Sequence, residues 1–442
     1  MNIRSSLYFT ASLCLSTTLL LPAIGTNSAE AAASLASSHT ALQQIASIPT
    51  LQPLWTVETN EQGLFAKQSP ISNGLVFFTD SSDVLHAADF ETGKIKWSIP
   101  QAGTPEVITS NSVTFLDPSG RLVKVDSSSG KILLQTAAVK GPNEIGAHVY
   151  TAGNLLLVLD ENSSGGLSAF DPVSGQRKWY NSRISMYAGE LIGQYGKTLV
   201  ALSTVDNIRT QLFGIDAATG KQLWRQEGIY TPIGQEKDRI ILREVTEQAN
   251  RLAWGDKAFR GYMLRLAVLD PSTGKIVKKE NYGLSQDARL SADSQAYFTD
   301  HYVYGVETSL SPDLSTLVRY ERGKSATAKS YAKYGDLVSG LENGYFFFQK
   351  DGILTALHAK DDHTLNFGKL PAHVAVTRVR VSGTFAFAGL DNGEYYIFDM
   401  QSGRIRGMLP TKSHLFSRPF VKDGKVLVQI LNDLIVLNLP KS

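Results

Sequence analysis

The sequence predicts an all-β fold, a closed β-propeller, because one turn motif recurs along the chain, apolar strands flank it, and amphipathic helical segments are lacking. The motif is Asp, two variable residues, Ser or Thr, Gly, and then Lys, Gln or Arg. Successive copies from Asp89 to Asp270 are 37, 45, 45 and 54 residues apart. A period of about 40–45 residues with short strands is typical of propeller blades, which must stack on their neighbours. The Asp and Gly residues of the six copies are Asp89 and Gly93, Asp126 and Gly130, Asp171 and Gly175, Asp216 and Gly220, Asp270 and Gly274, and Asp399 and Gly403.

The residue types of the motif have a structural explanation. An Asp side chain accepts hydrogen bonds from backbone N–H groups two or three residues later, and Gly supplies a positive φ. Three copies continue to a tryptophan eight residues after the Asp, at Trp97, Trp179 and Trp224. A large aromatic face at this position can pack against the adjoining blade. We therefore interpret these Asp, Gly and Trp residues as structural.

Short apolar runs upstream of the turns indicate buried strands. They are Leu75–Phe78, Leu155–Leu159, Arg239–Leu242 and Tyr345–Phe348. Runs of this length between Gly, Asn and Asp residues favour strands over helices.

The number of blades is counted from the turn positions. Degenerate copies at Glu321 and His358, and a partial copy at Asn438, bring the number of turn positions to nine. Most propellers have four to eight blades. Because the copies at Glu321 and His358 are weak, we predict eight blades, with nine as the alternative.

The two ends of the repeat region complete each other. Trp55 lies in a strand that has the docking tryptophan but no preceding turn, and the chain ends after a strand with no outer strand to follow it. We predict that the N-terminal strand is the outer strand of the last blade and closes the ring. Closure would remove exposed sheet edges.

The N-terminal region has the features of a secretory signal peptide. Arg4 precedes an apolar run from Leu7 to Ala23, and Ala29-Glu30-Ala31 is a small-residue cleavage pattern. We predict a signal peptide at 1–31, a flexible lead-in at 32–50 and one propeller domain at 51–442. The only cysteine, Cys14, lies in the signal peptide, so the mature chain would lack disulfides and Cys-based metal sites.

Composition narrows the classes of partner. The chain has 43 basic and 41 acidic residues, which argues against a nucleic-acid-binding surface. No run after the signal peptide is long and apolar enough for a membrane helix. His358 and His363 are the only close histidine pair, with Asp361 and Asp362 between them. We interpret that segment as a solvated loop and predict no metal site and no catalytic residues.

The turn with its following tryptophan resembles the pyrroloquinoline quinone-type propeller repeat. The match is carried by His86–Trp97, Ser168–Trp179 and Phe213–Trp224. The resemblance implies a propeller over nearly the whole mature chain. It leaves two branches open, which are quinoprotein dehydrogenases that use the quinone and calcium, and non-catalytic scaffolds such as the outer-membrane-assembly lipoprotein propeller.

The residues favour the scaffold branch. Many quinoprotein dehydrogenases carry a disulfide between adjacent cysteines, which the mature chain cannot form, and no compact set of calcium ligands is evident. The lipid-bearing cysteine of the assembly lipoprotein is also missing. We expect a secreted, monomeric scaffold without a cofactor that binds a protein or cell-wall partner. The alternative is an enzyme that uses the central channel, either quinone-dependent or of another type.

One segment is the best candidate for the contact surface. The step from Asp216 to Asp270 is the longest between intact turns, and its excess falls between strands predicted at Ile240–Leu242 and Leu264–Leu269. Trp254 alone among the five tryptophans lies outside a docking position. Because Trp, aromatic residues and Arg often anchor interfaces, one hypothesis is a partner-binding patch in a loop. The other is that Trp254 and Phe259 cover a neighbouring blade. The patch comprises Arg251, Trp254, Phe259 and Arg260.

Overall fold

A computed structural model describes residues 48–60, 70–139, 146–161, 166–187, 189–204, 209–245, 259–288, 295–308, 315–324 and 328–440. The predicted signal peptide and nearly all of the lead-in lie outside these residues. Within them, 36 strands form nine antiparallel sheets of four strands each. None of the helices in this part of the chain is long and apolar enough to span a membrane.

The first five blades each consist of four consecutive strands. Blade 1 contains β2 (Ile71–Ser72), β3 (Leu75–Thr79), β4 (Leu85–Asp89) and β5 (Ile95–Ile99). Blade 2 contains β6 (Val107–Ile108), β7 (Ser112–Leu116), β8 (Arg121–Asp126) and β9 (Ile132–Ala138). Blade 3 contains β10 (Ala147–Ala152), β11 (Leu155–Asp160), β12 (Leu167–Phe170) and β13 (Arg177–Asn181). Blade 4 contains β14 (Glu190–Tyr195), β15 (Thr198–Thr204), β16 (Thr210–Asp216) and β17 (Gln222–Gly228). Blade 5 contains β18 (Tyr230–Glu236), β19 (Arg239–Glu244), β20 (Phe259–Leu269) and β21 (Ile276–Ala288).

The remaining blades follow the same plan until the last, which takes its fourth strand from the N-terminal end of the described chain. Blade 6 contains β22 (Ala296–Phe298), β23 (Tyr302–Thr308), β24 (Ser315–Glu321) and β25 (Ala328–Ser330), and a short 3-10 turn (Ala332–Tyr334) follows it. Blade 7 contains β26 (Asp336–Glu342), β27 (Tyr345–Lys350), β28 (Ile353–His358) and β29 (Thr364–Lys369). Blade 8 contains β30 (Val376–Ser382), β31 (Phe385–Leu390), β32 (Glu394–Asp399) and β33 (Ile405–Pro410). Blade 9 contains β34 (Phe420–Lys422), β35 (Lys425–Ile430), β36 (Asp433–Asn438) and β1 (Pro53–Glu58).

The all-β propeller is therefore confirmed, but the preference for eight blades is wrong. The two degenerate repeats that argued for eight, at Glu321 and His358, each build a complete four-stranded blade. Their turns have lost the Asp and part of the motif, yet the apolar strands that make the sheet remain. Tyr304 in blade 6 and Phe346 and Phe347 in blade 7 are almost fully buried. Burial of the strands, more than the turn motif, determines whether a repeat forms a blade.

The core consists of apolar clusters at the junctions between successive blades. Within the described residues there are nine such clusters, one for each junction. At the last junction, Val76 and Phe78 of blade 1 pack with Leu434 and Val436 of blade 9. Because each blade buries its faces only against its two neighbours, the packing runs around a complete ring.

The N-terminal strand β1 is the outer strand of the blade 9 sheet. Strand β1 pairs antiparallel with β36, so that Trp55 is opposite Val436. Just before it, the N–H of Leu51 donates to the carbonyl oxygen of Met408 in blade 8 at 2.7 Å. Residues 49–58 thus contact both of the last two blades.

Tryptophans dock on the turn of the next blade along the ring. The indole Nε1 of Trp179 donates to the carbonyl oxygen of Ala217, the residue after Asp216, at 2.9 Å. The ring covers Gly220, where an added Cβ would lie 2.4 Å from the indole. The same contact recurs at three other junctions. Trp55 bonds to the carbonyl oxygen of Phe90 and covers Gly93, Trp97 bonds to Ser127 and covers Gly130, and Trp224 bonds to Pro271 and covers Gly274. Glycine is required at these positions for two reasons. Its φ is positive, and the indole occupies the space that a side chain would fill.

The predicted loop of blade 5 is shorter than the sequence suggested. Strand β19 extends to Glu244, and β20 begins at Phe259 rather than at Leu264. Because β19 pairs with β20 only from Leu266 to Leu269, the first part of β20 pairs with β21 alone. This two-stranded segment, which we call the blade 5 ribbon, comprises residues 259–265 and 281–288.

We predict that docking, and not only backbone strain, makes Gly220 necessary. Its φ is +72°, and the matched control Gly196 has a φ of +60° with open space at the Cβ position. Ala at either position should cost about 1–2 kcal/mol because of the left-handed backbone. At Gly220 displacement of Trp179 should add about 1–3 kcal/mol. Equilibrium urea unfolding of Gly220→Ala and Gly196→Ala measures the difference, and equal losses would contradict the docking role.

Candidate functional site

The recurring Asp and Gly residues of the turn motif hold the turns in shape. The Asp216 carboxylate accepts from the N–H of Thr219 at 2.9 Å and from its hydroxyl at 2.8 Å. Comparable bonds from residues two or three positions later are made at Asp89, Asp126, Asp171, Asp270 and Asp399. The glycines Gly93, Gly130, Gly175, Gly220, Gly274 and Gly403 have φ between +69° and +72°.

The turn carboxylates are stabilised in their charged form. Hydrogen bonds from the backbone N–H groups of Ser174 and Val173 lower the pKa of Asp171 to about 2. For Asp399, burial alone would raise the pKa, but Arg406 and the N–H groups of Ser402 and Gln401 outweigh it and bring the pKa to about 2. Carboxylates with lowered pKa values are therefore explained by turn geometry here, without a catalytic role.

The segment at His358 and His363 is not simply a solvated loop. Asp362 accepts from Arg319 of blade 6 at 2.9 and 3.0 Å and from the Tyr331 hydroxyl at 2.6 Å. Lys329 pairs with the same carboxylate. Asp362 thus links blade 7 to blade 6. Within the described residues, no group of His, Cys, Asp or Glu could hold a metal ion.

The candidate partner-binding patch is only partly placed. Arg251 and Trp254 lie outside the described residues. Phe259 and Arg260 form the beginning of β20 rather than part of a loop, and Phe259 is paired through its backbone with Ala288. Two of the four predicted residues therefore lie on the blade 5 ribbon, where it extends beyond its sheet.

A cavity of about 880 Å³ lies at the inner face of blades 5 to 8. It is lined by the first strands of these blades, β18, β22, β26 and β30, together with Arg243 of β19. The first strands of neighbouring blades lie next to each other, as β26 and β30 do, which places them around the centre of the ring. This cavity, which we call the channel cavity, is within the size range of small-molecule sites.

Charged and polar side chains surround the channel cavity. Arg380 donates to the carboxylate of Glu342. Arg378 donates to the backbone carbonyl oxygen of Phe416 at 3.0 Å. Burial and the nearby Arg380 lower the pKa of Arg378, and Glu342 only partly compensates. The side of the ring near blades 5 to 8 thus concentrates positive charge in a partly buried space.

Tyr297 forms part of the wall of the channel cavity. Burial and the nearby Glu342 raise its pKa to about 12, so its hydroxyl is protonated at neutral pH. The hydroxyl lies against Gly340, where an added Cβ would come within 1.8 Å of it. Tyr297 can hold this position only because residue 340 has no side chain.

Acidic side chains of blades 2 to 4 lie around His148 and Tyr150. His148 of β10 lies 3.4 Å from Glu106 and 3.7 Å from Glu161. Burial raises the pKa of the neighbouring Tyr150 to about 12, and Glu190, Glu106 and Glu161 contribute to that shift. Glu106, Glu161 and Glu190 therefore form an acidic surrounding for His148 and Tyr150.

Sequence reasoning did not identify the channel cavity. Its charged residues are far apart along the chain and belong to no motif, so each is unremarkable by itself. The one local signal is the alternation of Arg378 and Arg380 on a strand that begins a blade, since residues two apart share a face.

Comparison with known families bears on this fold and site. Residues 100–331 match a family model described as outer membrane protein assembly factor BamB, which is more than half of the chain. The chain belongs to this family. The membership confirms the resemblance to the quinone-type propeller repeat. No curated protein matches the chain.

Several solved structures overlap with the chain at low identity. BamB from Moraxella catarrhalis is 14% identical, with a TM-score of 0.42 over 88% of this chain and 100% of that one. The computationally designed protein Ika8 is 14% identical, with a TM-score of 0.47 over 88% and 100%. Quinohemoprotein alcohol dehydrogenase from Comamonas testosteroni is 12% identical, with a TM-score of 0.47 over 90% and 78%. With TM-scores below 0.5, these likenesses carry no argument about function.

We predict that the Asp399 carboxylate makes the stability of the folded protein depend on pH in the acid range. Because its pKa is lowered in the folded state, the stabilisation is present above about pH 4 and is lost as pH falls towards 2. The Asp399→Asn variant should have a lower Tm than the wild type near neutral pH. On acidification its Tm should fall by less than that of the wild type. Thermal melts at several pH values test this, with Asp423→Asn at an exposed hairpin position as control. An unchanged acid dependence in Asp399→Asn would contradict the assignment.

Proposed function

We propose that this protein is an extracytoplasmic, non-catalytic scaffold that binds a protein or cell-envelope partner. The observation that supports the proposal is membership of a family described as an outer membrane protein assembly factor. The predicted signal peptide at 1–31 is consistent with an extracytoplasmic location. The fold supplies what a scaffold needs, a rigid ring that can present its connecting segments to a partner.

The blade 5 ribbon is where we propose that the partner binds. Residues 259–265 pair only with β21, so one backbone edge of this part of β20 lacks a strand partner within the described chain. Unpaired strand edges bind extended segments of other chains by strand addition. The candidate patch of Arg251, Trp254, Phe259 and Arg260 would contribute aromatic and cationic anchors for the same partner.

Replacing the two aromatic anchors tests this function. We expect Trp254→Ser with Phe259→Ser to abolish capture of partners from secreted and cell-envelope fractions while the thermal melt is unchanged. The matched control is Val173→Ser with Leu133→Ser, which removes exposed apolar side chains from blades 2 and 3. A lowered melt would instead assign both aromatics to packing against a blade. Normal capture with a normal melt would remove the patch from the proposal.

The channel cavity keeps an enzymatic alternative open. A cavity of about 880 Å³ with convergent polar groups is a common location for a substrate or cofactor. The absorbance spectrum of the protein incubated with pyrroloquinoline quinone and calcium separates the alternatives. A stoichiometric bound chromophore would favour a quinone-dependent activity over the scaffold.

We also propose that the N-terminal strand closes the ring on which the scaffold depends. Residues 49–51 bond to blade 8, β1 pairs in blade 9, and Trp55 covers Gly93 of blade 1. We expect deletion of residues 32–57 to cause aggregation or a large loss of stability, because β36 would become an unpaired edge. Deletion of residues 32–47 is the control and should leave the melt unchanged. If the longer deletion melts like the full mature chain, another contact closes the ring.

A further inference from the structure

Arginines outnumber acidic residues in the lining of the channel cavity. Three arginines line it, Arg243, Arg378 and Arg380, against a single acidic residue, Glu342. Desolvated cations are costly unless they are paired, so a cavity of this composition favours a bound anion.

Arg378 is the arginine with which a bound anion would pair. Arg378 and Arg380 are two positions apart on β30 and face the same side of the strand. Arg380 already holds the carboxylate of Glu342, whereas Arg378 forms no ion pair with any residue that the structure describes and bonds to the Phe416 carbonyl oxygen. The guanidinium presents further N–H donors in a planar fork that matches a carboxylate.

We propose that the channel cavity binds a carboxylate-bearing ligand, with Arg378 as its principal anchor. The neighbouring Arg380–Glu342 pair shows the same recognition between residues of the chain itself. Tyr297 stands in the same wall, and its hydroxyl donates to the side-chain oxygen of Gln295, which also lines the cavity. This site is separate from the blade 5 ribbon, so it does not depend on the proposed partner patch.

The first strands that line the cavity would suit a peptide as the source of the carboxylate. Strands β18, β22, β26 and β30 each pair with one neighbour in their sheet, as far as the described residues show. Their other backbone edge is therefore available to an extended acidic segment. A free polycarboxylate could satisfy the same guanidinium without these backbone bonds.

Calorimetric titration of the purified full protein at low ionic strength tests the proposal with three probes, citrate, hexaglutamate and inorganic phosphate. We expect a carboxylate probe to bind, and Arg378→Gln to weaken it by about tenfold or more, the usual effect of losing a hydrogen bond to a charged group. Arg404→Gln is the matched control, since Arg404 is an exposed residue of the same blade outside the cavity. Glu342→Gln removes the competing carboxylate and should tighten binding.

The outcomes separate the sources of the ligand. Tighter binding of hexaglutamate than of citrate assigns the site to acidic peptides, and the reverse assigns it to free polycarboxylates. Absence of binding by both, equal weakening in Arg404→Gln, or a preference for phosphate would each overturn the proposal. If Arg378→Gln fails to fold, Glu342→Gln still decides, because unchanged or weaker binding in that variant contradicts a carboxylate site. Normal partner capture by Arg378→Gln would distinguish failure here from failure of the scaffold function.

Discussion

Docking of an aromatic ring onto the turn of the next blade is the contact on which the ring depends. A blade has two apolar faces and cannot fold alone, so it requires a fixed relation to its neighbours. The indole of Trp179 supplies that relation by covering Gly220 and bonding to the carbonyl oxygen of Ala217. The Asp side chain shapes the turn, the glycine allows close approach, and the tryptophan joins the two blades. The motif is therefore one device shared between successive repeats.

Where the docking tryptophan is absent, other side chains make the contact between neighbouring blades. Leu134 replaces the tryptophan over Gly175. Between blades 6 and 7, the Tyr304 hydroxyl donates at 2.5 Å to the carbonyl oxygen of Ala359, the residue that follows the Asp position of its repeat. The bond from Arg319 to Asp362 adds a charged contact at that junction. Leu134 stands at the same position of its repeat as the tryptophans, eight residues after the Asp. The contacts of Tyr304 and Arg319 use other residue types at other positions, which is why blades 6 and 7 were hard to count.

Sequence reasoning predicted the fold far better than the candidate site, for a physical reason. Turns and docking tryptophans are local patterns repeated along the chain, and repetition makes them visible in one sequence. The walls of the channel cavity come from residues such as Arg243, Tyr297 and Arg378, which are far apart in sequence and which only the stacking of blades 5 to 8 brings together. The inserted segment of blade 5 was recognised from its length, but β20 begins earlier than expected because the chain there pairs with β21 beyond the sheet.

The repeats also indicate where function is to be sought. A residue that recurs at the same position in many blades is explained by stacking, so the Asp, Gly and Trp residues of the turns need no further role. Function then belongs to departures from the repeat that stacking does not require. The blade 5 ribbon is one, since in the described residues its two strands pair with each other and with no third strand of the blade. Arg378 is another, because a partly buried cation adds cost to a ring that apolar residues already hold together. Both departures lie on blades 5 to 8. We therefore expect the binding surfaces of the protein on this side of the ring.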